Sequence, residues 1–473
     1  MDEREQTMVI REVMRGAVAA GAIRQLEERL DGELVYPDSV GYDEARRTQS
    51  IEFERYPALI VRARSAADVS RAVTFARAQG LALAVRSGGH SVAGHSMVDG
   101  AVVVDLSGMK RVVVEPEARI ARVQAGATSG DLIAAAGEHG LALSTGDTAS
   151  VGMGGLVTGG GIGFMVRKHG LTIDSLISAQ VVTAEGDIVT ASEAEHADLF
   201  WAIRGGGGNF GIVTEFMFRL VPAGLVLGGM LVLPASREVI RGYLDLAAAA
   251  PDELSTIANV CFLPPAPFVP QERVGELVVA ILVCWAGDIA EGERALAPLR
   301  ALATPVADLV SPIPYPVLYQ FTAHQSAPHA SAIRSMLADE LSDAAIDAAL
   351  EAFTHPSTPM VALQLRALGG AMARIGGEAT AFAHRDARYL VAMLAAWMDP
   401  AEDPAPHRAW VEALYEAIRP EGSGVYVNFL GNEGAARIKE AYPAATYARL
   451  AEIKRRYDPG NLFRFNQNIL PAE

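Results

Sequence analysis

Seven glycines fall among the twelve residues from Gly152 to Gly163, in the run 152-GMGGLVTGGGIG-163. Each costs a helix about 1 kcal/mol relative to alanine, so this density predicts that no ordinary helix starts here. Backbone packed directly against a flat ligand explains it better, because a missing Cβ lets the main chain approach closely. A second cluster lies upstream, in 85-VRSGGHSVAGHS-96, directly after the apolar run 81-LALAV-85. It reads as a buried strand that stops in a turn of small residues. Gly88 and Gly89 allow the amides there to form a nest for phosphate oxygens, to which Arg86, Ser87 and Ser91 can add donors. His90 then lies beside whatever ring system a bound pyrophosphate carries.

The flanking pattern is that of an α/β unit. The strand 58-ALIVRA-63 runs into a helix opened by Ser65, with Asp68 three residues on, and closed at Gly80. The strand 81-LALAVR-86 follows and delivers the glycine turn at its C-terminal edge, where ligands of such sheets usually lie. The runs 111-RVVVEPE-117 and 119-RIARVQAG-126 alternate like antiparallel strands, a helix is expected at 128–139, and 179-AQVVTAEGDIVTAS-192 reads as a further strand pair. In 198-DLFWAIRGGGGNFGIVTEFMFRLVP-222, Gly206, Gly208 and Gly211 match GxGxxG. A helix precedes them and a strand follows, the reverse of the dinucleotide fingerprint, so that reading is rejected.

Beyond Pro222 the texture changes. Strands at 225–233, 276–287, 360–370 and 389–398 alternate with amphipathic helices at 237–248, 289–302, 342–353 and 406–418, which predicts an antiparallel sheet covered by helices. The proline-rich 264-PPAPFVP-270 and 311-SPIPYPV-317 read as ordered loops. The end reads as a strand, 424-GVYVNFLGNEG-434, a helix stopped by Asp458 and Pro459, and an extended closing segment. The fold class is therefore α+β.

Forty basic against 56 acidic side chains give a net charge of −16, which excludes a nucleic-acid groove built from clustered lysine and arginine. Cys261 and Cys284 are too few for a disulfide framework, and His95, His139 and His169 lack zinc-site spacing. No apolar run is long enough to span a bilayer, and the start MDEREQTMVIREVMRG is charged where a signal peptide needs an apolar segment. These features predict a cytoplasmic protein, monomer or homodimer, with no membrane partner. A hydrolase using Ser91 or Ser96 fails the GxSxG spacing.

Together, RSGGHS, GGLVTGGGIG, DLFWAIRGGGGNFGIVT and YDPGNLFRFNQNI resemble the berberine-bridge-enzyme-like flavoproteins of the vanillyl-alcohol oxidase and p-cresol methylhydroxylase fold group. The bacterial FAD-linked oxidases of secondary metabolism are the most similar subset. The resemblance implies a helical lead-in (1–52), an FAD-binding domain split between 53–223 and 425–473, and an α+β substrate domain at 224–424. It implies FAD held by Arg86, Ser87, Gly88, Gly89, Ser91 and Gly94, with His90 bonded covalently to the flavin 8α-methyl carbon. Val151, Gly152, Gly155, Gly159 and Gly163 would approach the ring, as would Gly211, Val213, Asn466 and Asn468. Members with two covalent links carry a cysteine where this chain has Thr148, so a second link is excluded.

Many members also end a YxNY segment with a base tyrosine, whereas 426-YVNF-429 ends in Phe429; on a strand Tyr426 would face the opposite way. Candidates for catalysis come instead from the middle sheet: Gln364 and Arg366, which share a strand face, and Tyr389 on the next strand. His384 and Arg385 are weaker ones. Tyr315, Tyr319, Phe321, Tyr389 and Trp397 would suit a hydrophobic or aromatic metabolite. The implied activity is an FAD-dependent oxidase that reduces oxygen to hydrogen peroxide, with a small valine at position 151 lining the oxygen pocket. The alternatives are a dehydrogenase with another acceptor and an oligosaccharide oxidase.

Overall fold

A computed structural model describes residues 20–473; the charged first residues, read above as unlike a signal peptide, lie outside them. The glycine turn grows out of a four-stranded sheet ordered Glu33–Val35, Leu59–Arg62, Val102–Asp105, Leu83–Arg86, in which the last three strands are parallel. Its crossover helix, Ala66–Ala78, starts as expected: Ser65 accepts a hydrogen bond from Asp68 N. The Asp68 carboxylate, however, turns to the backbone of Asp31, Gly32 and Arg64 and ties the lead-in to the sheet. A five-stranded antiparallel sheet follows, ordered Val112–Glu115, Ile120–Gln124, Ile212–Arg219, Leu176–Val182, Ile188–Ser192.

The third sheet has nine strands, all paired antiparallel. It contains the four expected strands and two long ones outside the expectation, Leu254–Phe262 and Ala330–Ala338. Helices Arg237–Ala249, Ile289–Arg300, Asp343–Ala352 and Ala405–Ile418 match the predicted four. The first buries Val239, Ile240, Tyr243, Leu244 and Ala247, one stripe at helical spacing, against the sheet. Alternation assigns the faces: Leu363, Leu365, Val391 and Met393 join this helix-covered core, so Gln364 and Arg366 point to the other side.

Three local expectations fail for identifiable reasons. Met153–Gly159 is helical despite its glycines, because burial of Met153, Leu156 and Val157 outweighs propensity over so short an element; it stops at Gly160 and Gly161, both at positive φ. The loop 311–317 is a strand, Ser311–Pro314, paired with Leu225–Gly228, followed by a 3₁₀ helix over Tyr315–Ser326. The strand expected at 424–434 gives way after Gly424 to a 3₁₀ turn, Val427–Phe429. Three residues per turn place positions i and i+3 on one side, so the Tyr426 and Phe429 rings lie 5.6 Å apart instead of facing opposite ways.

The largest apolar core joins the first two sheets to Tyr426, Leu430, Leu450, Tyr457, Phe463 and Ile469 from the end of the chain. Among the described residues no helix is long and apolar enough to cross a membrane, and no group of three His, Cys, Asp or Glu could hold a metal ion.

Candidate active site

Two glycine turns meet in backbone contact. A Cβ on Gly88 would stand 2.3 Å from Gly152 N, and one on Gly152 would stand 2.2 Å from Gly88 N, so the crossing admits no side chain at either position. Ser87 locks it: Oγ donates to Ala125 O at 2.6 Å and accepts from Gly154 N at 3.2 Å. Gly89 takes φ +73°, the left-handed region that favours glycine. His90, next along, is hydrogen-bonded to the Ser150 backbone. Burial first, and the neighbouring His329 second, lower its pKa from 6.5 to about 4 against the effect of that bond. The imidazole is thus neutral at physiological pH.

The other expected cofactor residues divide. Gly155 is exposed, with nothing within 4 Å of a Cβ built on it, so its backbone borders open space. Val151 is partly buried beside it. Ser150 Oγ, Asn466 Oδ1 and Asn468 Oδ1 are buried acceptors with no hydrogen-bond partner among the described residues. Asn466 is held in place by donating to Gly208 O and Phe463 O, each at 3.1 Å. Arg86 Nη1 turns back to Ala45 O while its Nε has no hydrogen-bond partner among the described residues, and Ser91 Oγ accepts from His95 N within the turn, which leaves its own O–H to donate. Gly94 packs on the Phe53 ring, Gly159 on Asn428, Gly163 on Thr145 O and Gly211 on Val181; Val213 is core. These five serve close packing of the frame.

Of the catalytic candidates the structure brings two together. Gln364 Nε2 donates to Asn259 Oδ1 at 2.8 Å, and Arg366 Nε donates to Gln364 Oε1 at 2.7 Å. Arg366 Nη2 stands 2.9 Å from Asp147 Oδ2, and its guanidinium carbon lies 5.0 Å from the Phe429 ring centre. All but Asn259 and Phe429 are buried. Tyr389 does not join them: its hydroxyl donates to Leu244 O at 2.6 Å on the helix-covered face, where Trp397 also packs. Arg385 is a frame residue, donating to both oxygens of Asp174 at 2.8 and 2.9 Å, and His384 contacts Glu440 O. Tyr315, Tyr319 and Phe164 form one apolar cluster near Thr145, with Phe321 packed against it.

Asp147, Asn259 and Gln325 escaped the sequence reading. One ridge of the 3₁₀ helix clamps the turn that carries Asp147. Tyr319 OH donates to Gly146 O at 2.8 Å, Thr322 Oγ1 to Asp147 O at 2.6 Å, and Thr148 Oγ1 to Gln325 Oε1 at 2.8 Å. Gln49 links the clamp to the other turn, its N donating to Gly89 O and its Nε2 to Gln325 O. An aspartate between glycine and threonine in 146-GDTASVG-152 is the only sequence signal, and alone it reads as an ordinary turn residue.

Alanine at Gln364 removes the acceptor that aims Arg366. Flavin reduction by substrate is expected to slow by about tenfold or more, as a misaimed group costs catalysis, with flavin content unchanged. Equal reduction rates in the variant and the parent would remove this chain of residues from the site.

A backbone crossing of two glycine turns, a neutral histidine beside it and unpaired amide oxygens from the last segment define a cradle for a large, flat, phosphate-bearing cofactor. The comparisons specify it. Residues 57–192 match the family model described as FAD binding domain, and residues 425–470 match the one described as berberine and berberine like. The chain is 32% identical over 453 residues to an FAD-linked oxidoreductase of Bacillus subtilis, covering 94% of this chain and 98% of that protein. It is 32% identical over 455 residues to (R)-6-hydroxynicotine oxidase of Paenarthrobacter nicotinovorans, covering 93% and 97%. The crystal structure of 6-hydroxy-D-nicotine oxidase from Arthrobacter nicotinovorans superimposes with a TM-score of 0.84 at 30% identity, covering 94% of this chain and 98% of that one. The chain belongs to the FAD-linked oxidoreductases of the berberine-bridge-enzyme-like family.

Proposed function

We propose that the protein is an FAD-dependent oxidase that takes a hydride from a small hydrophobic or aromatic metabolite, held through one covalent bond between FAD and His90. When bound, FAD supplies the two-electron acceptor and the reaction with oxygen that yields hydrogen peroxide. The observation that carries the reading is His90 itself, a neutral imidazole fixed on the Ser150 backbone beside the Gly88–Gly152 crossing. Its lone pair is free to bond carbon at neutral pH. Thr148 has no thiolate with which to form a second bond, and its hydroxyl is already spent on Gln325.

Residues 53–223 and 425–473 form the cofactor-holding unit, a division supported by their shared apolar core. Residues 224–424 present the Gln364–Arg366 face to the substrate. The partly exposed Phe429 ring beside Arg366 favours an apolar or aromatic substrate. Valine at position 151, and the oxidases among the relatives, favour oxygen as the electron acceptor.

The test is anaerobic reduction of the bound flavin by a panel of alcohols, cyclic amines, sugars and phenols, followed by admission of air. Rapid reoxidation with stoichiometric hydrogen peroxide is the expected result. Slow reoxidation in air with fast transfer to a dye would instead indicate a dehydrogenase.

A further inference from the structure

We propose that Asp147 is the proton acceptor of this reaction, and that the carbon it oxidises bears a hydroxyl group. The inference rests on the FAD-oxidase reading above. Oxidising such a carbon to a carbonyl removes a hydride and also the hydroxyl proton, which needs a positioned base. Phe429 offers no atom that can take it. Tyr426, beside it, cannot: burial pushes its phenol up to about 12, and its oxygen already accepts from Gly161 N and Asn428 Nδ2, both at 2.9 Å.

Asp147 has what both lack. Its carboxylate is buried, and although Arg366 Nη2 lies 2.9 Å from Oδ2, that oxygen receives no directed hydrogen bond among the described residues. A buried acceptor left open is costly, which a substrate donor at that atom would relieve. The residue is also placed for the task. Its backbone is pinned by Thr322, and three residues further along the same turn Ser150 holds His90. Gln364 fixes Arg366 from the other side.

The pair selects the chemistry of the substrate. A carboxylate oxygen that accepts and a guanidinium that donates, side by side, match a hydroxyl, which gives one hydrogen bond and takes another. An ammonium group could meet Asp147 only by approaching the Arg366 cation, a like-charge contact. In the step assigned, the O–H proton passes to Asp147 Oδ2, the C–H hydrogen leaves with its two electrons as a hydride to FAD, and the C–O bond becomes C=O. Oxygen then takes those two electrons and two protons as hydrogen peroxide.

The experiment uses the flavin-loaded full chain, aromatic secondary alcohols such as 1-phenylethanol with their matched amines, and 2-phenyl-2-propanol as a ligand with a hydroxyl but no transferable hydrogen. Alcohols should reduce the flavin, and Asp147→Ala should slow the best of them by about 10²–10⁴-fold, the usual worth of a general base. Flavin content should stay as in the parent, while the unfolding midpoint should fall in Asp147→Ala, because the buried Arg366 cation loses its carboxylate. Binding of 2-phenyl-2-propanol, read by calorimetry, should weaken about tenfold or more in the variant. Added acetate should restore reduction faster than formate, because it is the stronger base; an anion that merely repaired the pairing of Arg366 would show no such order. Should Asp147→Ala lose its fold, the isosteric Asp147→Asn must show the same slowing. An unchanged rate, equal rescue by acetate and formate, an amine as the fastest reductant, or no reduction by any alcohol would each overturn the assignment. Failure of the oxidase reading shows separately, as a protein purified without bound flavin or one whose reduced flavin is not reoxidised by air.

Discussion

Replacing His90 by alanine is expected to leave a protein that still binds FAD but gives all of it up on denaturation in acid, whereas the parent polypeptide stays yellow. The binding that survives comes from parts the substitution does not touch: the Gly88–Gly152 crossing, locked by Ser87, and the open amide oxygens of Asn466 and Asn468. What is lost is the proposed covalent bond. A peptide from the parent containing His90 should carry the mass of FAD, and the alanine variant should also be harder to reduce, because the electron-withdrawing imidazolyl substituent is gone. Flavin released intact from the denatured parent would defeat the claim.

The pKa of His90 adds a pH signature. Burial holds the folded value at about 4 against 6.5 for an ordinary imidazole, so the folded apoprotein binds fewer protons than the unfolded chain between those limits. Its contribution to stability is therefore complete above about pH 6.5 and is lost as the pH falls toward 4. Attachment of FAD to apoprotein should run at an undiminished rate from pH 8 down to about pH 5, well below the point where a free imidazole is mostly charged. A rate that falls through pH 6.5 would show that the imidazole is as accessible to protons as in water.

The second large effect is expected at Lys454, which sequence reading passed over as one basic residue in a helix. Its ammonium is fully buried, and its three donors are all used, on Asn209 O at 2.8 Å, Asp458 Oδ2 at 2.7 Å and Phe463 O at 2.9 Å. Asp458 in turn accepts from Leu462 N and Phe463 N. Methionine at 454 would leave a buried carboxylate unpaired, a loss on the order of 3–5 kcal/mol. Chemical denaturation should show that loss, together with weaker FAD retention, since the same node holds the segment bearing Asn466 against the 207–209 turn. Adding Asp458→Asn to Lys454→Met removes the stranded charge while keeping an oxygen for one of the two amides, so the double variant should be more stable than the single one. A single variant as stable as the parent would show that the pair contributes nothing net.

How far the sequence carried depended on whether a feature announced itself locally. Alternating and 3.6-residue patterns located the four middle helices and four of the long strands, because an amphipathic element must repeat its own period. Leu254–Phe262 is not legible as a strand because Ser255, Thr256 and Asn259 interrupt its apolar run, yet Ser255 and Thr256 are buried with hydrogen-bond partners such as Tyr243 OH. Glycine counting located both turns but misjudged Met153–Gly159, where tertiary packing outweighs propensity. Gln364 and Arg366 were found through shared strand parity, and Tyr389 was misplaced for want of the register, which sets it opposite Ala367 on the other face. Asp147 had only its place between Gly146 and Thr148, which reads as an ordinary turn, and Lys454 only its i,i+4 spacing to Asp458, because the partners Arg366, Asn209 and Phe463 lie on other elements.

The 3₁₀ helix over Tyr315–Ser326 limits what inheritance can do to this chain. Its contacts come from Tyr319, Thr322 and Gln325, three residues apart, which is one turn of such a helix. Inserting or deleting a single residue between them would swing the following side chain by about 120° and uncouple it from the turn at Gly146–Thr148. Length variants in this segment should therefore survive selection only in steps of three. Substitutions at the positions between the three should be free to accumulate wherever they do not enter the apolar cluster.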